Sequence, residues 1–253
     1  MLLLRMAAIL ASALFAALAS CSSTGQHFER EHWRGGFDQF SRAPYQWVPT
    51  AVAVAATPIA IMIDRSTSAE SVEDHVFNSN TKYGDELALG IGFAPVVLGG
   101  ALGLATGDAR VFHVATEATA LTAAQTQLLK IAVNRKRPDG SAQDSFPSGH
   151  TSFTFCGATL LARWYAEEND GSPLGYLLYL PASYVGISRL EGDRHFLSDI
   201  TFGAALGMFT AHMVWNAHFG DDAHGGLFGR DVAAQLLPVV DEDRVGLALS
   251  ISF

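Results

Sequence analysis

Residues 147–162 read PSGHTSFTFCGATLLA: a proline, a hydroxyl, a glycine and a histidine run straight into an apolar, helix-like stretch. The order matters chemically. Gly149 has no side chain to keep its backbone N–H from an anion, and a helix starting there adds a favourable dipole. Ser148 contributes a hydroxyl donor. His150 titrates near working pH, which suits it to protonate a departing alkoxide. Taken alone the quartet is no more than a turn and a helix start, so its neighbours decide.

Two further blocks flank it: KIAVNRKRP at 130–138 and SRLEGDRHFLSD at 188–199. Lys130 and Arg137 are seven apart, close to two helical turns, so both are expected on one face near a helix end, with Pro138 stopping the helix. An arginine fork holds two phosphate oxygens while lysine supplies a compact charge. In the third block Ser188 and Arg189 close an apolar helix. His195 and Asp199 follow at i and i+4, on one face where that stretch is helical. A carboxylate that fixes one imidazole nitrogen leaves the other able to attack phosphorus. Together the blocks hold three cations, two histidines, a hydroxyl and a carboxylate, which suits a tetrahedral oxyanion without a metal.

Composition narrows the class. The chain has 253 residues, room for one domain with a substantial core. It is 49% hydrophobic and 16% charged, against roughly 25% charged in soluble domains, and its mean hydropathy is +0.21. A net charge of -9 argues against a nucleic-acid partner. Cys21 and Cys156 exclude a disulfide framework, and Cys156 reads as a buried small hydrophobe. His75, His113, His212, His218 and His224 lack paired ligand spacing, so no metal or other cofactor is assigned; Glu117 is expected to pair with a cation.

Residues 1–20 have the form of a secretory signal, and 21–45 read as a polar tether and leader. Leu18-Ala19-Ser20-Cys21 resembles the lipobox of bacterial lipoproteins. That resemblance implies a lipidated Cys21 and an acyl anchor in the cell envelope, facing the periplasm, with Ser22 favouring the outer over the inner membrane. Apolar blocks at 48–63, 87–107, 111–133, 151–162, 174–188 and 200–220 predict six helices in a domain over 46–225. A helix spans a bilayer with about 20 apolar residues; 87–107 and 200–220 are long enough, so a soluble bundle and a membrane protein both remain open. Within 226–253, residues 235–240 and 245–253 read as two short strands about a charged turn, the second alternating apolar with small residues, which predicts a short C-terminal β-hairpin packed on the bundle.

The three blocks match the motif positions of the type 2 phosphatidic acid phosphatase superfamily, which includes class A acid phosphatases and vanadium haloperoxidases. The resemblance covers about 70 residues, from Lys130 to Asp199. It implies an all-α fold of about six helices and a metal-independent phosphatase. Lys130, Arg137 and Arg189 would bind the phosphoryl group with Ser148 and Gly149. His195 would form a phosphohistidine, Asp199 would orient it, and His150 would protonate the leaving group. A membrane tether and apolar composition favour phosphorylated lipids as substrates. The alternatives are small phosphomonoesters, vanadium-dependent halide oxidation, and a binding lipoprotein with a decayed pocket.

Overall fold

The computed structural model describes residues 44–70, 81–219, 233–241 and 244–252. The expected signal segment and Cys21 lie outside the described residues, as do His75 and His224. Among the described residues six α-helices follow one another: α1 (Pro44–Glu70), α2 (Thr81–Thr106), α3 (Arg110–Val133), α4 (Gly149–Glu168), α5 (Tyr179–Glu191) and α6 (Leu197–Phe219). A 3-10 turn over Pro173–Leu178 precedes α5. The 174–188 block is thus two elements, and Pro181 falls in the first turn of α5, where its missing N–H has no helical acceptor to lose. Ala233–Asp241 and Arg244–Ser252 pair antiparallel as a two-stranded ribbon belonging to no larger sheet. The bundle itself is all-helical, and the expected packing of a hairpin tail on it is not supported.

The bundle is built around α6, which packs against α4, α1 and α3. Its core joins Val114, Ala115 and Ala118 of α3 to Cys156 and Leu160 of α4 and to Ala211, Val214 and Trp215 of α6. Alanine and glycine at these contacts let helix axes approach closely. The buried hydroxyls along α4 are satisfied locally: Thr154 donates to the His150 carbonyl and Thr159 to that of Phe155.

One contact shows how closely the helices pack. Pro95 inside α2 has no N–H for the Ile91 carbonyl, four residues back. Gly157 of α4 sits against that carbonyl, where a Cβ would come within 2.2 Å of the oxygen. Only glycine allows this approach.

Apolar surface is distributed unevenly. Trp47–Asp64 in α1 and Tyr83–Thr106 in α2 are long and apolar enough to cross a membrane, and each is less than one-third buried. Val52, Ile59, Met62, Val97 and Leu104 all face outward. This corrects the expectation for 200–220. That block is apolar because α6 is the centre of the bundle, buried at most positions from Ser198 to Ala217, whereas α1 presents its apolar side chains to the exterior.

Candidate active site

The three blocks meet at one end of the bundle. Lys130 lies in the last turn of α3, and that helix stops at Val133 with Asn134 in the left-handed conformation (φ 47°, ψ 44°), its N–H returning to the Lys130 carbonyl. Arg137 is therefore not on the Lys130 helix, as the seven-residue spacing suggested. It comes back to Lys130 through a turn, held by its N–H to the Ala142 carbonyl and by its carbonyl accepting from Gly140. Asp144 ties the two cations together. Its carboxylate takes Nε of Arg137 at 2.7 Å and a second guanidinium N–H at 3.0 Å, and Lys130 donates to its backbone carbonyl.

His195 is not helical either. It lies in the loop before α6, while Asp199 occupies the first turn of that helix. Both are almost fully buried. The Nδ1 of His195 stands 2.7 Å from the Ser145 carbonyl and 3.8 Å from Asp199 Oδ2. A carbonyl only accepts, so Nδ1 carries the hydrogen and the ring's lone pair is on Nε2. The tautomer is thus fixed by Ser145, with the Asp199 charge behind it. Asp199 accepts from the Ser145 hydroxyl at 2.5 Å, the Phe196 N–H at 2.9 Å and Arg135 at 2.7 Å.

Arg135 extends this support outward. It also donates to Asp64 of α1 at 2.8 Å and to the Ser198 hydroxyl at 2.7 Å, and its guanidinium lies 3.9 Å from the Phe196 ring centroid. Asp64 in turn accepts from the Ser198 N–H and hydroxyl. Three elements are locked together behind the histidine.

On the opposite side, α4 begins at Gly149 with Ser148 as its N-cap. Ser148 is fully buried; its hydroxyl is paired with that of Thr151 at 2.9 Å and its N–H donates to the Asp199 carbonyl. The Ser148 side chain is thus engaged inside the protein, and Gly149 and His150 are the residues that open the helix. A Cβ on Gly149 would lie 3.8 Å from the Lys130 side chain, which puts the helix start against the lysine. Arg189, in the last turn of α5, donates at 2.5 Å to Asp85 Oδ1, which also stands 3.1 Å from His150 Nε2. Gly84 makes room for this. A Cβ there would fall 2.1 Å from the Ser188 hydroxyl and 2.8 Å from the Arg189 guanidinium.

The electrostatics follow the packing. Burial pushes the His195 imidazole below its ordinary value; Asp199 opposes this and Lys130 adds to it. Burial works upward on Asp199, but His195, Ser145, the Phe196 N–H and Arg135 outweigh it and hold the carboxyl low. His150 is pushed down to about 4, first by the protein around it and then by Arg189, with Lys130 and His195 adding to the effect. A site with this charge pattern keeps both imidazoles neutral at rest and surrounds them with cations.

The three motif blocks come together at this end of the bundle, though the Ser148 hydroxyl, expected to bind phosphate, is buried against Thr151. Asp85, Asp144, Arg135, Asp64 and Ser145 belong to it too, and motif reasoning did not assign them. Among the described residues no cluster of three or more histidine, cysteine or acidic side chains could hold a metal ion. Glu117 pairs with His218 at 2.8 Å, away from these blocks.

The chain is similar to known proteins over the stretch that holds these blocks. Residues 112–222 match the family model described as PAP2 superfamily. Lipid A 1-phosphatase of Porphyromonas gingivalis is 41% identical over 85 residues, 33% of this chain and 18% of that protein. A probable diacylglycerol pyrophosphate phosphatase of Schizosaccharomyces pombe is 38% identical over 84 residues, 30% of each. The chain therefore spans less than a third of the length of these two relatives. In fold it is similar to the crystal structure of the first transmembrane PAP2 type phosphatidylglycerolphosphate phosphatase from Bacillus subtilis (TM-score 0.51, 20% identity), over 66% of this chain and 94% of that one. The stretch that matches this family model runs through the helices from α3 to α6 and includes the loops that carry the cations and histidines.

Proposed function

We propose that this chain is a metal-independent phosphoric ester hydrolase acting on phosphorylated lipids through a phosphohistidine. The observation that carries the reading is the buried His195 ring, its Nδ1–H held by Ser145, leaving the Nε2 lone pair for phosphorus with Lys130 acting on the ring. Nε2 attacks phosphorus and the bond to the leaving oxygen breaks, with His150 giving that oxygen a proton. The three cations take the equatorial charge, and the Gly149 end of α4 adds its dipole. Water then transfers a proton to His150 and attacks phosphorus; the N–P bond breaks, releasing phosphate and neutral His195. A bound phosphoryl dianion raises His150 from its resting value, so the acid is charged when it is needed.

A lipid substrate is favoured by the outward apolar faces of α1 and α2 beside the site, and the named relatives are lipid phosphatases. Those faces seat the domain against a bilayer, and acylated Cys21 supplies a tether on the periplasmic side. The test uses full-length protein in EDTA with phosphatidate, an isoprenyl diphosphate, lipid A and p-nitrophenyl phosphate. The reading requires phosphate release and an acid-labile phosphoenzyme that is absent in His195→Ala. Undiminished hydrolysis by His195→Ala would remove it.

A further inference from the structure

Asp85 is the one carboxylate of the site contributed by α2, far in sequence from the motif blocks. A single oxygen, Oδ1, lies 2.5 Å from an Arg189 nitrogen and 3.1 Å from His150 Nε2. Arg189 is buried, while Asp85 and His150 are each about half exposed, at the mouth of the site. Gly84 brings α2 close enough for this reach.

Resting on the phosphatase reading above, we propose that Asp85 is a positioning residue: it steadies the Arg189 guanidinium and holds the His150 ring so that His150 delivers the leaving-group proton. Protonated His150 has an N–H on each nitrogen. The one on Nε2 faces Asp85, and the Nδ1 proton goes to the leaving oxygen, after which the neutral ring keeps its Nε2–H on the carboxylate. The titratable groups acting on His150 are Arg189 from α5, Lys130 from α3, His195 from the loop before α6, and Asp85 from α2. Three of these oppose a proton on the ring and Asp85 alone favours it. The arrangement mirrors Asp199 behind His195, so each imidazole is backed by an acid, with opposite consequences. Asp199 supports a nucleophile that stays neutral until it attacks, and Asp85 supports a ring that must become charged.

The two substrate classes separate the proton-transfer role from a structural one. Alkyl phosphates leave as strongly basic alkoxides and need the acid; an aryl phosphate such as p-nitrophenyl phosphate scarcely does. Asp85→Asn should lower kcat about tenfold further on an alkyl phosphate than on an aryl phosphate, whose own loss reports the loosened Arg189, and should move the basic limb of the alkyl profile down by about one pH unit. Asp85→Glu should restore most of the alkyl rate. Equal loss on both substrates in both variants, or a wild-type basic limb in an active Asp85→Asn, overturns the inference while the phosphatase reading stands. Tighter vanadate inhibition with an unmoved limb also overturns it, because Asp85 would then be a competitor for the phosphoryl site. A wild-type chain that hydrolyses neither substrate overturns the function and the inference together.

Discussion

Asp199 is fully buried and meets four groups, so its replacement tests more than the histidine. Asp199→Asn keeps the shape, but removes the charge behind His195 and leaves Arg135 with one carboxylate fewer. We expect kcat to fall by roughly a hundredfold or more, as when the acid of a catalytic triad is neutralised, with KM little changed. Arg135→Lys should give a weaker version of the same kcat loss, since an ammonium cannot bridge Asp199 and Asp64 as a guanidinium fork does. Steady-state kinetics on p-nitrophenyl phosphate read both. The motif side chains were legible because their chemistry repeats a known spacing. Two inferences from helical periodicity were not sound: Asn134 ends α3 before Arg137, and His195 precedes α6. In both cases loops, stitched by backbone hydrogen bonds, achieve what a helix face was expected to do. Asp85 and Asp64 carried no signal, because nothing in a linear chain says which residue of a distant helix will reach the site.

At the level of elements, prolines and glycines have to be read in pairs across helices. Pro49 and Pro58 lie inside α1 and Pro95 inside α2, yet each helix continues past them. Composition identified the apolar blocks and their number, since uncharged runs between polar breaks have few other ways to satisfy their backbone. It does not tell a helix buried by its neighbours from one bare to the exterior, which is why 200–220 reads as a candidate span and α1 does not. The Gly157 contact gives a test. Gly157→Ala drives a methyl into the Ile91 carbonyl, a backbone atom that cannot rotate away. Thermal unfolding in mild detergent should show a loss of about 1–3 kcal/mol or more, with α2 and α4 forced apart.

Taken whole, the molecule sets buried histidines against acid both at the site and, through His113, at the other end of α3. His150 and His195 both have folded values below that of a free imidazole, so the unfolded chain binds protons more readily in this range. Their contribution to stability is complete above about pH 6.5 and is lost as pH falls below it. Asp199 adds a second loss in the acid range beneath the ordinary carboxyl value, because its folded value is depressed. Unfolding midpoints measured from pH 8 to 4 should therefore decline through pH 6, and His150→Gln should flatten the upper part of that decline. A flat wild-type profile between pH 7 and 5 would contradict this. A different consequence comes from Asp64. It ends the apolar span Trp47–Asp64, and it grips Arg135 and Ser198 beneath His195. With α1 seated in lipid, any slant imposed by a thicker or thinner host membrane is levered onto the catalytic floor. Turnover in vesicles should then pass through a maximum as phospholipid chain length is varied, and Asp64→Asn should blunt that tuning.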